Sequence, residues 1–294
     1  MAFLAKWFPY FLSGISIGGQ YALIAVGYTM VYGILRLINF AHADIFMASG
    51  IMMIYLAASL PLWAAIPLCI LLTVLLGFLV ERIAYKPLRS APRMSVMISA
   101  IGVSYFLQNL IAYLTGGLTK QYVVIPWISD TVSVLGASTK RVTLITPILT
   151  AVLVFALVYL INHTKIGMAM RAVSKDYETS QLMGIKINRT ISTTFIIGSF
   201  LAAIGAMLYF SNYTGITYTS GAMPGLKAFV AAVFGGIGSI PGAVIGAFII
   251  GICETLIKGA GYSAFSDAFT FALLIVILVV KPTGLFGEQL NEKV

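Results

Sequence analysis

Charge is what this chain most lacks. Only 9% of its 294 residues are Asp, Glu, Lys or Arg, against about 25% in soluble domains, while 60% are hydrophobic and the mean hydropathy is +1.00. So little polar surface cannot clothe a globule in water, and lipid is left as the solvent. Cysteine is almost absent: Cys69 and Cys253 each lie within an apolar run, where a thiol behaves as a small hydrophobe, and they suggest no disulfide framework. No G-x-x-x-x-G-K-[ST] loop occurs, so the chain has no phosphate cradle of its own. Alternating decamers are missing too, which excludes a β-barrel. The first apolar run follows only Lys6 and leads straight into others, so no cleavable signal peptide is expected.

What remains is apolar runs, at about 8–32, 45–60, 63–80, 94–114, 142–161, 191–210, 226–234, 243–257 and 268–280. A bilayer core needs about 20 apolar residues per helix. The fold class is therefore all-α: one polytopic transmembrane helical bundle over residues 1–294, with eight to nine membrane segments. Two of these are awkward. The run 226–234 is short and enters Gly235-Gly236-Ile237-Gly238-Ser239-Ile240-Pro241-Gly242, and polar residues interrupt 36–44. Both read as broken or re-entrant helices, the irregular backbone that transporters place along a cavity. A weak echo links 22–50 with 229–251, each an apolar run, a break and a second run.

Basic residues set the orientation. With 81–93 and 163–190 on the cytoplasmic side, Arg82, Lys86, Arg89, Arg93, Lys165, Arg171, Lys175, Lys186 and Arg189 lie inside. Arg36, Lys281 and Lys293 join them, making twelve of the eighteen Lys and Arg. Lys6, Lys120, Lys140, Arg141, Lys227 and Lys258 stay outside. The amino terminus is then external, the carboxy terminus internal, and 116–141 the one sizeable external loop. The net charge of +9 reads as topology, with nucleic-acid binding a poor second.

The segment 163–190 is the longest internal connection. Ser174 or Asp176 suits an N-cap, Glu178 favours a helix start and Gly184 suits the residue just past a helix end. One reading is an ordinary solvated connector. The other is a coupling helix over Ser174, Lys175, Asp176, Tyr177, Glu178, Met183 and Gly184, a knob for a cytoplasmic motor; without a nucleotide loop in this chain, any ATP drive comes from elsewhere.

Several motifs in order support a family resemblance: YALIAVGYTMVYGI at 21–34, Ile38-Asn39-Phe40-Ala41-His42, Glu81-Arg82-Ile83-Ala84-Tyr85-Lys86-Pro87-Leu88-Arg89, Ile98-Ser99-Ala100-Ile101-Gly102, Arg171-Ala172-Val173-Ser174, Lys227-Ala228-Phe229 through Ala243, and Lys281-Pro282-Thr283-Gly284. Over nearly its whole length the chain resembles the H-type permease of the high-affinity branched-chain amino acid ABC transporters. The resemblance implies a multi-pass protein of the bacterial inner membrane that moves leucine, isoleucine and valine. Relatives in the superfamily move other amino acids, amides or urea. It further implies a second, related permease, two cytoplasmic ATPase subunits and a periplasmic or extracellular solute-binding protein. No cofactor is expected on this chain, with ATP and Mg on the partner subunits. Asp44 departs from the pattern, which has a glycine followed by an acid in many relatives.

Ionisable groups near the membrane are costly enough to mark function. Asn39, His42 and Asp44 occupy the first break, and with Gln20, Gly236 and Gly238 they are the candidates for a pathway or gate. They could equally cap a broken helix. A metal site has no third ligand in sight, and no nucleophile stands beside His42 and Asp44, so a membrane-embedded enzyme is the weakest rival. Gly236 and Gly238 lack the spacing and the βαβ context of a dinucleotide fingerprint. An ion-coupled transporter would need carboxylates at mid-membrane, and only Asp44 and Glu254 come near. Glu254 precedes Lys258 by one turn and is expected to pair with it near the external face.

Overall fold

The apolar runs close into helices because a backbone in lipid must satisfy its own hydrogen bonds. A computed structural model describes residues 2–287 except 90, 123, 124, 135 and 136; Lys293, expected inside, lies outside the described residues. The helices are α1 (Ala2–Leu35), α2 (His42–Ser59), α3 (Leu62–Val80), α4 (Arg93–Thr115), α5 (Pro126–Ser129), α6 (Arg141–His163), α7 (Lys165–Lys175), α8 (Tyr177–Leu182), α9 (Ile187–Asn212), α10 (Ala222–Gly235), α11 (Ile240–Gly259) and α12 (Ser266–Val280). Among the described residues eight helical stretches are long and apolar enough to span a membrane, and α10 is a shorter apolar helix of 14 residues. Both expected breaks are present, at 36–41 and 236–239.

Helices α1, α2 and α9 form the centre, whereas α4, α6 and α12 lie at the periphery and turn side chains such as Phe155, Ile148 and Val279 outward. The outermost helices meet lipid, so apolar exposure there costs nothing. The tightest seam joins α1 to α11. A Cβ added at Gly251 would meet the backbone of Gly18, and one at Gly14 would lie 2.7 Å from the Cα of Ile252. Small residues let the two backbones touch, the device membrane helices use where hydrophobicity alone supplies no attraction.

Strands appear only beyond the helix ends. The loop 116–141 forms β1 (Lys120–Gln121) and the antiparallel pair β2 (Thr131–Val134) and β3 (Ala137–Lys140), and β1 pairs with β4 (Gly215–Ile216). Lys140 Nζ donates to the Asn212 carbonyl at 3.1 Å. These contacts mark one end of the bundle. At the other, basic end, the Tyr177 hydroxyl donates to the Ile34 carbonyl at 2.6 Å and Arg89 bonds Asn188. There too the carboxy-terminal segment pins the second break, with the amides of Leu285 and Phe286 each 2.9 Å from the Phe234 and Gly235 carbonyls.

Candidate functional site

The two breaks stand side by side. Tyr28, Thr29 and Tyr32 of α1, Ile38 of the first break, Phe229 and Ala232 of α10, and Ile237 of the second break surround a void of only about 10 Å³. That is room for one water at most. The Tyr28 ring lies edge-on to His42 at 5.1 Å and to Phe229 at 6.1 Å, so aromatic faces plug the meeting point.

The polar candidates of the first break do not converge. Asn39 is 2% exposed and accepts from the Tyr85 hydroxyl at 2.7 Å. It stands before α2 rather than on it, so the three-residue spacing to His42 does not place the two on one helix face. His42 opens α2 and turns toward α1, where an added Cβ at Gly27 would overlap its imidazole. Asp44 points to α4 and accepts from Gln108 Nε2 at 2.9 Å. The side-chain atoms Asn39 Nδ2 and His42 Nε2 are buried with no protein partner. Gln20, fully buried, reaches α9 through the Leu208 carbonyl at 3.4 Å.

Gly236 and Gly238 carry φ of +107° and +100°, a backbone that an L side chain rarely adopts. Pro241 does not interrupt a helix: it sits in the first turn of α11, behind a cap in which Ser239 Oγ accepts from the Gly242 amide at 3.3 Å.

The loop 163–190 holds two helices rather than one. Ser174 lies in the last turn of α7, and Asp176 is the cap of α8, accepting from the amides of Glu178 at 2.9 Å and Thr179 at 3.3 Å. The Thr179 hydroxyl and amide lower the Asp176 carboxyl below the ordinary carboxylate range. At the other end the Gly184 amide bonds the Gln181 carbonyl and the Ile185 amide bonds the Ser180 carbonyl, with Gly184 at φ +81°. This paired closure is the Schellman motif. It presents Leu182 and Met183 at 87% and 78% exposure, one turn from exposed Glu178.

Two bonds tie this loop to the first break. Tyr177 holds the last turn of α1, and burial pushes its phenol up, keeping the proton it donates. The Arg36 guanidinium lies 3.4 Å from the Ser174 carbonyl, from a backbone at φ +55°. Motif reading passed over Arg36 except as a topological charge, and Leu182 altogether; an unusual φ leaves no trace in composition.

A second polar centre was only partly expected. Glu254, 1% exposed, accepts from Lys258 at 2.5 Å as its spacing suggested, but also from Lys227 at 2.7 Å and from the Tyr21 hydroxyl at 3.0 Å. Lys227 also meets Asp267 at 2.6 Å. It is 5% exposed, a buried ion-pair residue, which a count of charges by side could not show. Four helices, α1, α10, α11 and α12, meet here. Among the described residues no group of three or more His, Cys, Asp or Glu is placed to hold a metal.

Comparison with known proteins agrees with this architecture. Residues 10–278 match the family described as "Branched-chain amino acid transport system / permease component". The chain is 38% identical to the high-affinity branched-chain amino acid transport system permease protein LivH of Escherichia coli (strain K12), covering 99% of this chain and 100% of that protein. It is 38% identical to the corresponding protein BraD of Pseudomonas aeruginosa, covering 96% of each. A solved structure described as an inward-facing metal-chelate type ABC transporter superposes with a TM-score of 0.52 at 15% identity, over 93% of this chain and 87% of that one; that likeness concerns the fold alone. The chain is thus a multi-pass membrane protein belonging to the branched-chain amino acid transport system permease family.

Proposed function

We propose that this chain is one transmembrane subunit of an ATP-driven importer that carries leucine, isoleucine, valine or closely related amino acids across a bacterial inner membrane. It performs no covalent chemistry itself. A solute-binding protein delivers cargo to the external face, a second related permease completes the conduit, and two ATPase subunits, holding ATP and Mg, grip the basic end. The observation that carries the reading is the direct connection of α8 to the first break. A motor pressing on Leu182 and Met183 moves Tyr177, Tyr177 holds the end of α1, and the first break follows that end directly. The void beneath Tyr28 and Phe229 is too small for an amino acid, so the meeting of the breaks is a closed gate that this motion opens.

The charge economy favours this reading over an ion-coupled carrier. Glu254 is already engaged by two ammonium groups and Asp44 is held by Gln108. Neither carboxylate is free to carry a coupling ion. Uptake of labelled leucine into vesicles containing the chain with and without its ATPase subunits tests the proposal. Uptake that requires ATP, the ATPases and the binding protein is expected; full-rate leucine transport by the chain alone would overturn it.

A further inference from the structure

The segment 81–89 joins α3 to α4 and carries more polar chemistry than a connector needs. Its first five residues, Glu81–Tyr85, form a π turn closed by the Lys86 amide on the Glu81 carbonyl; such turns are rare and recur at functional sites. Glu81 is fully buried and accepts from Arg89 and, at 2.7 Å, from the Ser192 hydroxyl. A buried carboxylate is costly unless it is paired and hydrogen-bonded, and this one is both. Arg89 also donates to Asn188, and the Tyr85 ring packs on Phe195 at 5.2 Å. At spacings of four and three residues, Asn188, Ser192 and Phe195 form one stripe of α9. The stripe continues at Ser199, whose Oγ occupies the space that a side chain on Gly77 of α3 would need. The end of α3, the π turn and α9 are thus packed as one body, and α9 begins at Ile187, just past the Gly184 closure of α8.

Tyr85 is where that body reaches the first break. The residue is 1% exposed, and its phenol donates to Asn39 Oδ1 at 2.7 Å. Among the described residues it is the only hydrogen-bond partner of the Asn39 side chain, whose Nδ2 has none. Packing is open on one side of the break: a cavity of about 340 Å³, lined by Leu35, Leu37, Tyr85 and Tyr177 among others, lies against it, where interiors are otherwise filled. Hydrogen bonds take over the task of holding it, Tyr177 on the Ile34 carbonyl before the break and Tyr85 on Asn39 within it.

We infer that Tyr85 is a positioning residue of the importer, which carries the motion of α8 and α9 to Asn39, and that the Glu81–Arg89 pair aims it by pinning the π turn to α9. The inference rests on the proposed function. The break is then gripped at two points, and loss of the Tyr85 hydroxyl separates ATP hydrolysis from movement at Asn39.

The test uses the intact complex of permeases, ATPases and binding protein in proteoliposomes and reads labelled leucine taken up per ATP hydrolysed. Tyr85→Phe keeps the ring on Phe195 and removes only the hydroxyl; a several-fold lower ratio is expected. Arg89→Lys keeps the charge but loses the planar fork that spans Asn188 and Glu81, and is expected to lower the ratio as well. Ser99→Ala is the control, because it removes a hydrogen bond to the same π turn, from Ser99 Oγ to the Ala84 carbonyl at 3.2 Å, without touching Asn39; its ratio should stay native. Hydrogen exchange adds a readout that a merely structural bond leaves alone. In the native complex ATP is expected to alter exchange both in α8 and at residues 37–42, and in Tyr85→Phe in α8 only. An unchanged ratio in Tyr85→Phe, an equal fall in Ser99→Ala, or a response of residues 37–42 that survives loss of the hydroxyl would overturn the inference. Should Tyr85→Phe fail to assemble, the ratio and the exchange response of Arg89→Lys decide by the same criteria. The native complex separates the two proposals. Leucine uptake that needs no ATP removes the proposed function and this inference with it, whereas ATP-driven native uptake with native ratios in the variants removes this inference alone.

Discussion

Replacing Glu254 with Gln removes one negative charge from a place where two ammonium groups converge. Lys258 is 34% exposed at its side chain and can swing toward water, so its loss is that of a surface pair, at most about 1 kcal/mol. Lys227 has no such escape: its side chain is 7% exposed, and only Asp267, at 2.6 Å and 45% exposed, still faces it. Breaking a buried pair from one side costs about 3–5 kcal/mol. The retained Asp267 contact places Glu254→Gln near the lower end, about 3 kcal/mol, or roughly a hundredfold in the folding equilibrium. Lys227→Met removes the stranded charge, so the double variant should lose less than the two single variants together, with a coupling of about 0.5–3 kcal/mol. Reversible unfolding in bicelles, run as a double-mutant cycle with Lys258→Met as the exposed control, measures each term. Single-variant losses below about 0.5 kcal/mol, the range of featureless surface changes, together with strict additivity, would refute the claim that this network holds α10 to α11 and α12.

Gly251→Leu forces a side chain into the Gly18 backbone; backbone cannot turn aside, so a loss at or above the top of the usual overpacking range of about 1–3 kcal/mol is expected as a lowered melting temperature, and a native-like melt would contradict the seam. Gly184→Val places a β-branched residue at φ +81°, where strain is about 1–3 kcal/mol; ATP hydrolysis should continue while leucine uptake per ATP falls, and an unchanged ratio counts against α8 as the coupling element. Asp176→Ala should speed hydrogen exchange at the Glu178 and Thr179 amides. Because the folded carboxyl titrates below its unfolded value, the cap's contribution is complete above the ordinary carboxylate range and disappears as pH drops through the lowered folded value. Exchange corrected for intrinsic rates should accelerate in that acidic window in the native chain but not in Asp176→Ala.

Features built from neighbours in the chain were legible in the sequence. The spans follow from run length, the breaks from Gly, Pro and polar residues inside apolar runs, and the closure of α8 from Asp176 and Gly184 eight residues apart. Glu254 shows where legibility ends. Its partner Lys258 lies one helical turn away and could be read from spacing, but Lys227 and Tyr21 are 27 and 233 positions distant. The packing of α10 and α1 against α11 brings them together. The topology count assigned Lys227 a side from its place in the chain; such a count carries no information on burial. Asn39, His42 and Asp44 show the same limit. Close in sequence, they face Tyr85, Tyr28 and Gln108 on three different elements, since the turn before α2 parts Asn39 from His42 and a two-residue spacing on α2 sends His42 and Asp44 to different faces.

Buried polar atoms without protein partners recur along the bundle, Ser16 Oγ, Gln20 Oε1 and Tyr122 Oη as well as those at the first break. Both Glu254 carboxylate oxygens are bonded, and the glycine seam between α1 and α11 leaves no slack. At the first break and beside α8, by contrast, Asn39 Nδ2, His42 Nε2 and Arg89 Nε are buried without protein partners, and Arg36 holds a left-handed backbone. Each unsatisfied buried group costs about 1–3 kcal/mol. An arrangement that gives these atoms partners therefore competes with the present one, and both are reached through the Tyr177 and Arg36 contacts to the first break. On the proposed reading the breaks are the gate, and the four-helix ion network is the frame against which it moves. A motor pressing α8 then acts where buried atoms lack partners, while the same push against the Glu254 network would have to break the buried Lys227–Glu254 pair.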